Sequence, residues 1–268
     1  MSLIPEQEDR PPPARGRTVH AAKLAGTLVP VTDRTTAISL PESADHPGPG
    51  GSRAERIYND LKAMIVSGAL GPGVLIDKGE LCQRYSASKL PITIAINRLA
   101  LEELVLVQPQ HGSFVAPIRF DDIRQLMALR LALETDAVAA LLAGAGCRTF
   151  LAFAGKSLAY QHAALAVADL GRFYELDAEM HRTMIHHSGL PKFNNVLDGV
   201  RAHLDRVRRL MQTIPGRVHE TMREHEALVA AIASGDPARA IAALREHLER
   251  AMQNFVGFSS TLGPAFAR

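Results

Sequence analysis

Four residues with metal-binding side chains occupy regular positions in the second half of the chain. Asp177 and His181 are four residues apart in a helical pattern, so both point from one face of one helix. His225 and His247 lie in two later helical stretches, ten residues before and twelve residues after Gly235. In antiparallel helices joined at that glycine, the two histidines lie at a similar height. Three imidazoles and one carboxylate from three helices can enclose a divalent transition metal.

The donor set of three nitrogens and one oxygen suits zinc, nickel, manganese or iron, and the sequence does not choose among them. The alternative for a single core histidine is an ordinary hydrogen bond, which is our interpretation of His203 and His219. An open metal position invites a carboxylate effector as a further ligand. Arg130 is a candidate for pairing with such an anion, and an equal alternative is a salt bridge to Glu134 one turn on.

The segment upstream of these residues predicts a compact head. A helix from Arg53, a second helix capped by Asp77 and a third capped by Ser88 precede two alternating apolar strands around Gly112. Three helices followed by a β-hairpin, ending near Pro117, are the pattern of a winged helix-turn-helix.

In this motif the N-terminal residues of the third helix meet DNA bases, and the wing meets the backbone or minor groove. The predicted DNA contacts are Arg53, Arg56, Ser86, Ser88, Lys89, Thr93, His111 and Gly112. The head has seven basic residues against six acidic ones, a weak excess for nucleic-acid binding. The alternative is therefore a winged helix used for protein contacts.

The remainder of the chain is predicted to be helical. Six helices run from about Phe120 to Thr261, with Asp121 capping the first and Gly235 ending the fifth. Hydrophobic residues make up 47% of the chain but aromatic residues only 5%, with no Trp, so the core must be aliphatic. The fold class is mainly α: an N-terminal winged helix-turn-helix followed by an all-α helical bundle.

We predict three regions: a disordered extension and linker over 1–50, a DNA-binding domain over 51–118, and an effector-binding and dimerisation domain over 119–268. Proline and glycine runs in the first region disfavour regular structure. Cys82 and Cys147 do not indicate a disulfide framework, which fits a reducing cytoplasm. The sequence predicts no membrane association, because it has no apolar run of spanning length and no secretory signal pattern.

The head resembles the GntR family of bacterial regulators. The matching stretches are SGALGPGVLI, ELCQRYSASKLPITIAINRLALEELV and HGSFVAP. The family usually opens its third helix with Ser-Arg-Thr-Pro-Val-Arg, so Lys89 and Thr93 replace two arginines here. A lysine is a point charge and does not bind guanine in a bidentate manner. Glu103 stands where the family often has a helix-ending glycine.

The helical segment is similar to the effector (FCD) domain of the FadR-type branch of that family. The stretches that carry the similarity are RLALETDAVAALLA, DAEMHRTMIHHSGLP and HEALVAAIASGDPARAIAALREHL. The resemblance implies a divalent ion at Asp177, His181, His225 and His247, a homodimer, and a palindromic double-stranded DNA operator. It favours repression over activation.

We therefore expect a cytoplasmic, dimeric, non-enzymatic transcriptional regulator that responds to a small organic acid. One rival is a metal-dependent hydrolase or oxygenase, since three histidines and an aspartate can activate water. Against it, helical offsets predict that Glu175, Glu179 and Glu224 point away from the cluster. A second rival is a metal sensor in which the ion itself is the signal.

Overall fold

The computed structural model describes residues 51–211, 216–259 and 266–267. The predicted extension over 1–50 lies outside the described residues. The head contains three helices and three short strands: α1 Arg53–Val66, β1 Leu75–Ile76, α2 Lys78–Arg84, α3 Lys89–Leu101, β2 Val105–Gln108 and β3 Gly112–Val115. The strands form one antiparallel sheet in the order β1-β3-β2, so the wing is present as predicted and the winged helix-turn-helix is confirmed.

The head is held together by the apolar stripes that the sequence predicts. Ile57 and Leu61 of α1 and Ile92, Ile96 and Leu99 of α3 are fully buried in one cluster. At 25 cal/mol per Å² of apolar surface, burying each such side chain contributes roughly 1.5–3 kcal/mol. The stripe leaves the opposite face of α3 pointing to solvent.

Of the two helix caps predicted in the head, one makes its capping hydrogen bonds and the other does not. Asp77 accepts hydrogen bonds from the backbone N–H groups of Gly79 (2.6 Å) and Glu80 (3.1 Å), so it caps α2 as expected. Ser88 occupies the N-cap position of α3 but its hydroxyl makes no capping bond. After α3, Glu103 has a φ of +56°, the left-handed conformation that a glycine adopts more easily.

Gly112 has a structural role in the wing. Its φ is +127°, and a Cβ atom there would lie 2.8 Å from Leu75 Cδ1 of the neighbouring strand. A side chain at this position therefore meets backbone strain, and it must also displace the tip of the flexible Leu75 side chain.

The second part is a bundle of six helices within the described residues. The helices are α4 Phe120–Ala143, α5 Cys147–Ala166, α6 Leu170–His187, α7 Lys192–Met211, α8 Arg217–Ala233 and α9 Pro237–Ser259. Two short parallel strands adjoin them, β4 Ile118–Arg119 and β5 Phe266–Ala267. The prediction that Asp121 caps the first of these helices is wrong. The helix begins at Phe120, with Arg119 at the N-cap position, two residues before Asp121. Asp121 lies in the first turn, where its charge favours the helix dipole.

The bundle core is aliphatic, as the composition predicts, and its closest-packed pairs of helices are α5 with α6, α8 with α9 and α4 with α9. Within the described ranges, no single helix is long and apolar enough to cross a membrane. The joined pair α4 and α5, bent by 118°, passes that test of length and composition as two segments.

Helix α7 connects the bundle to the head. Its Ala202 is buried in the head's own apolar cluster. His203 Nε2 donates to the carbonyl oxygen of Glu102 at the end of α3 (2.8 Å), and Arg206 Nη2 donates to that of Ala116 after the wing. Burial lowers the pKa of Arg206 to about 10, so its guanidinium remains charged at neutral pH. The expectation that His203 is an ordinary hydrogen-bonded histidine is confirmed.

Candidate metal centre

The four predicted ligands meet inside the bundle. Asp177 and His181 come from α6, His225 from α8 and His247 from α9, and all four are at least 96% buried. Each offers one ligand atom, and these atoms lie within 4.8 Å of one another. Asp177 Oδ1 lies 2.9 Å from His225 Nε2 and 3.6 Å from His181 Nε2. Residues that are distant in sequence thus converge on one small buried volume.

Two atoms of the cluster lack a partner that buried polar groups normally have. The Nε2 atoms of His181 and His225 are buried and make no hydrogen bond of acceptable geometry among the described residues. The 2.9 Å contact of His225 Nε2 with Asp177 Oδ1 is a close approach of two atoms that can share a cation. An unsatisfied buried nitrogen is costly and calls for an explanation, such as an ion. Three imidazole nitrogens and a carboxylate oxygen at this spacing are a donor set that fits a divalent transition metal.

The other ring nitrogen of each histidine is bound by a neighbouring acceptor. His181 Nδ1 lies 2.6 Å from Glu134 Oε2, and His247 Nδ1 lies 2.8 Å from Glu224 Oε2. Because a carboxylate only accepts, each of these Nδ1 atoms carries the proton and donates it. The Nε2 lone pairs are then left free to face the cluster, which is how outer partners orient metal-binding histidines.

The third histidine has a neutral partner. His225 Nδ1 lies 2.7 Å from the side-chain oxygen of Gln161 on α5, and the Gln161 amide nitrogen lies 3.2 Å from Ser157 Oγ. Gln161 is fully buried. A helix that supplies no predicted ligand therefore fixes the orientation of one.

Sequence reasoning missed these three acceptors, and for Glu224 the prediction was wrong. Glu224 does not point away: it binds His247 Nδ1 and, through both oxygens, Arg217. On α8 it directly precedes His225, and one residue turns the helix by about 100°, which directs Glu224 toward α9. Glu175 and Glu179 are exposed, as predicted.

Charge and burial set the protonation states that a metal requires. Burial alone raises the pKa of the Asp177 carboxyl, but the Arg208 guanidinium 3.0 Å away and the neighbouring histidines hold it well below its usual range. Burial lowers the pKa of His225, and that of His247 to about 3. At neutral pH Asp177 is therefore an anionic carboxylate, and His225 and His247 are neutral imidazoles, the forms that bind metal ions.

A cavity of about 60 Å³ adjoins Asp177 and His247. Three arginines line it, among mostly apolar side chains, and each has a carboxylate partner: Arg130 with Glu134, Arg208 with Asp177 and Arg217 with Glu224. The salt-bridge alternative for Arg130 is therefore present (2.7 Å), and the same side chain also faces the cavity. The lining combines guanidinium donors with apolar surface, a chemistry that can receive a small organic anion.

The predicted DNA contacts come from α1, the turn before α3, the start of α3 and the wing. Ser88, Lys89 and His111 are exposed. Arg53 Nη1 also donates to the carbonyl oxygen of Ser86 (3.0 Å), so it ties α1 to the turn. The Thr93 hydroxyl donates to the Lys89 carbonyl oxygen (2.9 Å) within the helix.

Comparison with known proteins gives matches over both parts. A model described as "Bacterial regulatory proteins, gntR family" matches residues 53–115, and the FCD domain model matches residues 125–250. The uncharacterized HTH-type transcriptional regulator BphR of Paraburkholderia xenovorans is 30% identical over 206 residues, covering 74% of this chain and 83% of that protein. The chain belongs to the GntR family.

A further curated relative and two solved structures are also similar to this GntR-family regulator. The HTH-type transcriptional repressor RspR of Escherichia coli K12 is 26% identical over 195 residues, covering 73% of this chain and 85% of that protein. Among solved structures, E. coli McbR/YncC has a TM-score of 0.66 at 20% identity, covering 78% of this chain and 100% of that one. A putative GntR regulator from Rhodococcus sp. RHA1 has a TM-score of 0.65 at 21% identity, over 77% and 99%. These two structures confirm the fold.

The acceptor behind His225 offers a test of the centre that leaves all four ligands in place. In Gln161→Leu, the GntR-family regulator keeps its donor set but loses the group that orients one imidazole. We expect divalent-metal affinity, measured by competition with a chromogenic chelator, to fall roughly 10–100-fold. Gln161→Glu keeps an acceptor oxygen and should bind within a few-fold of wild type. Equal affinity in wild type and Gln161→Leu would contradict this role for Gln161.

Proposed function

We propose that this transcriptional regulator holds a divalent metal at Asp177, His181, His225 and His247, and that a small organic acid binds beside it to control operator affinity. The observation that carries the proposal is the pair of buried Nε2 atoms without hydrogen-bond partners in the described part of the chain, next to an arginine-lined cavity. When bound, the metal supplies a Lewis-acidic site that attracts a carboxylate.

The protein's own residues define the chemistry of the acid. Arg130, Arg208 and Arg217 each have donors to share with an anion, and the apolar part of the lining suits a short carbon chain. A cavity of about 60 Å³ favours a compact molecule over a long-chain one. Each arginine is already neutralised by a carboxylate, so an incoming anion competes for its donors.

The head binds a double-stranded DNA operator, and we propose that the contacts are those predicted from sequence: Arg53, Arg56, Ser86, Ser88, Lys89, Thr93, His111 and Gly112. We propose a homodimer on a palindromic operator, acting as a repressor in the bacterial cytoplasm, where its operator would lie. The repressor name of the E. coli relative RspR supports that mode of action.

Helix α7 is the proposed route between the two sites. Arg208 contacts the ligand Asp177, while His203 and Arg206 bind backbone carbonyls of the head. His203 and Arg208 are five residues apart, about 7.5 Å along one helix. An acid that draws Arg208 from Asp177 therefore acts on the same rigid element that positions the head, which gives effector and operator a physical means of coupling.

We propose that the protein is not an enzyme. Two carboxylates adjoin the cluster, and each is bound to an arginine and a histidine: Glu134 to Arg130 and His181, and Glu224 to Arg217 and His247. Despite burial, these partners hold the pKa of Glu134 well below its usual range and that of Glu224 down to about 2. A group so weakly basic is poorly suited to proton abstraction at neutral pH.

The effector proposal is tested by thermal melting of the metal-loaded full chain against mono-, di- and tricarboxylates. One chemical class should raise the melting temperature, by an amount that corresponds to about 2.7 kcal/mol at 100 times its Kd. Arg130→Met should abolish the increment. The matched control is Arg124→Met on the same helix, because Arg124 is exposed and faces away from the cavity. No stabilisation by any acid, or full stabilisation of Arg130→Met, would overturn the effector site.

A further inference from the structure

The solvent-facing side of α3 is unusually apolar for a helix that enters DNA. Leu90 is 68% exposed, Ile94 is 49% exposed, and Leu101 is 87% exposed. Together with exposed Asn97 they occupy positions 90, 94, 97 and 101, the spacing of a single stripe along an α-helix. This stripe lies opposite the buried residues Ile92, Ala95, Ile96 and Leu99, and so on the side that faces away from the head.

Neighbouring side chains add to this apolar character. The Thr93 hydroxyl donates its proton to the Lys89 carbonyl oxygen (2.9 Å), so it has no proton left for a partner, and the Thr93 methyl group is available for an apolar contact. Arg98 is the only arginine in the sequence of α3, and its guanidinium lies over the Tyr58 ring at 3.8 Å from the centroid. It is thereby held against α1, away from the stripe.

We propose that Leu90 and Ile94, with the Thr93 methyl, read thymine methyl groups in the major groove, and that Asn97 pairs with an adjacent adenine. The inference rests on the proposed docking of α3 in the major groove. The C5 methyl of thymine is the apolar feature of that groove, and an asparagine can bind adenine N6 and N7 together. Guanine is normally read by a bidentate arginine, which this face of α3 does not present.

The position of each residue along α3 distinguishes the residues that can contact bases from those that cannot. Leu90 and Ile94 lie in the first two turns, where recognition helices meet base edges, and exposed Lys89 beside them can reach a phosphate. Leu101 is on the same stripe but eleven residues from Leu90, about 16 Å further along the axis. It serves as a matched control, an exposed leucine on the same helix too distant to share their contacts.

The experiment replaces thymine by deoxyuridine, which lacks the methyl but keeps every hydrogen-bonding group. An operator is first selected from a random duplex library with the metal-loaded full chain. Each thymine of the half-site is then replaced in turn, and affinity is measured at fixed salt. We expect a loss of about fourfold for each contacted methyl, the effect of exposing one buried methyl-sized group. In Leu90→Ala and in Ile94→Ala, replacement of the thymine that the truncated side chain contacts should have no effect, whereas Leu101→Ala should respond like wild type.

Several results would overturn the inference. Specific, salt-dependent binding that is indifferent to deoxyuridine leaves the DNA-binding function intact and removes methyl readout. A selected half-site whose affinity depends on its guanines, and not on its thymines, would likewise exclude methyl readout and leave DNA binding intact. If Leu90→Ala changes the oligomeric state and leaves operator affinity unchanged, the stripe is a protein interface. If no duplex is selected even at low salt, the proposed docking of α3 fails, and the inference fails with it.

Discussion

The His225→Ala variant is expected to lose most of its bound divalent metal. His225 is fully buried, lies 2.9 Å from Asp177 and is oriented by Gln161, so no solvent molecule can readily replace its nitrogen. Loss of an outer partner alone typically weakens metal binding 10–100-fold, so loss of the ligand should exceed roughly 100-fold. Elemental analysis after dialysis measures the retained ion.

The same variant should lose the metal-dependent part of its thermal stability. A metal at 100 times its Kd stabilises the folded chain by about 2.7 kcal/mol, or roughly 5–10 °C for a domain of this size. Wild type should show that increment when metal is added back after chelation, and His225→Ala should not. Because the sensed ion of a metal sensor exchanges readily, retention of metal through mild dialysis of wild type also disfavours that rival.

The control for this experiment is Leu228→Ala, three residues further along α8. Leu228 is equally buried but belongs to the apolar core, so its truncation costs about 2–5 kcal/mol with or without metal. It should melt earlier than wild type yet keep the metal increment. If His225→Ala keeps the increment as well, the four residues are ordinary core polar groups and the metal centre is wrong.

The second large effect is expected in α7. In Arg206→Met the chain should still bind its operator, but the acid should change that affinity far less than in wild type. Arg206 joins α7 to the carbonyl oxygen of Ala116 after the wing, and methionine fills similar space without donating. Effectors commonly alter affinity 5–150-fold, and we expect the factor to fall below roughly threefold. Operator titration by fluorescence anisotropy, with and without the acid, measures both quantities.

Arg209→Met is the matched control for α7. Arg209 lies on the same helix but is exposed, so its replacement should leave the coupling factor at the wild-type value. Arg206→Met also leaves a buried carbonyl oxygen without this donor, which costs about 1–3 kcal/mol. Because Arg206 does not line the cavity, the acid should still bind to Arg206→Met and still raise its melting temperature. A wild-type coupling factor in that variant would remove α7 from the route.

The ligands of the candidate centre were predictable because local periodicity places them. The four-residue spacing of Asp177 and His181 fixes a shared helix face, and the turn at Gly235 fixes the relative height of His225 and His247. The winged helix-turn-helix was likewise predictable, since its stripes, caps and strand alternation are all local signals.

The partners of those ligands depend on how helices rotate and pack, which a single sequence does not encode locally. Gln161 stands on α5 without any distinguishing spacing, and the direction of Glu224 was predicted wrongly because its role depends on the placement of α9. The predicted Arg130–Glu134 pair hinted at Glu134, since a buried carboxylate one turn from an arginine is unusual on an aliphatic helix. The contacts of α7 with the head join residues about a hundred positions apart, beyond any local signal.

The most direct test of the central claim is a reciprocal titration of one metal-loaded preparation of the full chain. Operator affinity is measured with and without the acid found by melting, and affinity for the acid is measured with and without operator. We predict that the two ratios are equal and differ clearly from one, because coupling between two binding sites is reciprocal. An acid that binds at the centre yet leaves operator affinity unchanged would contradict the claim that this site controls DNA binding.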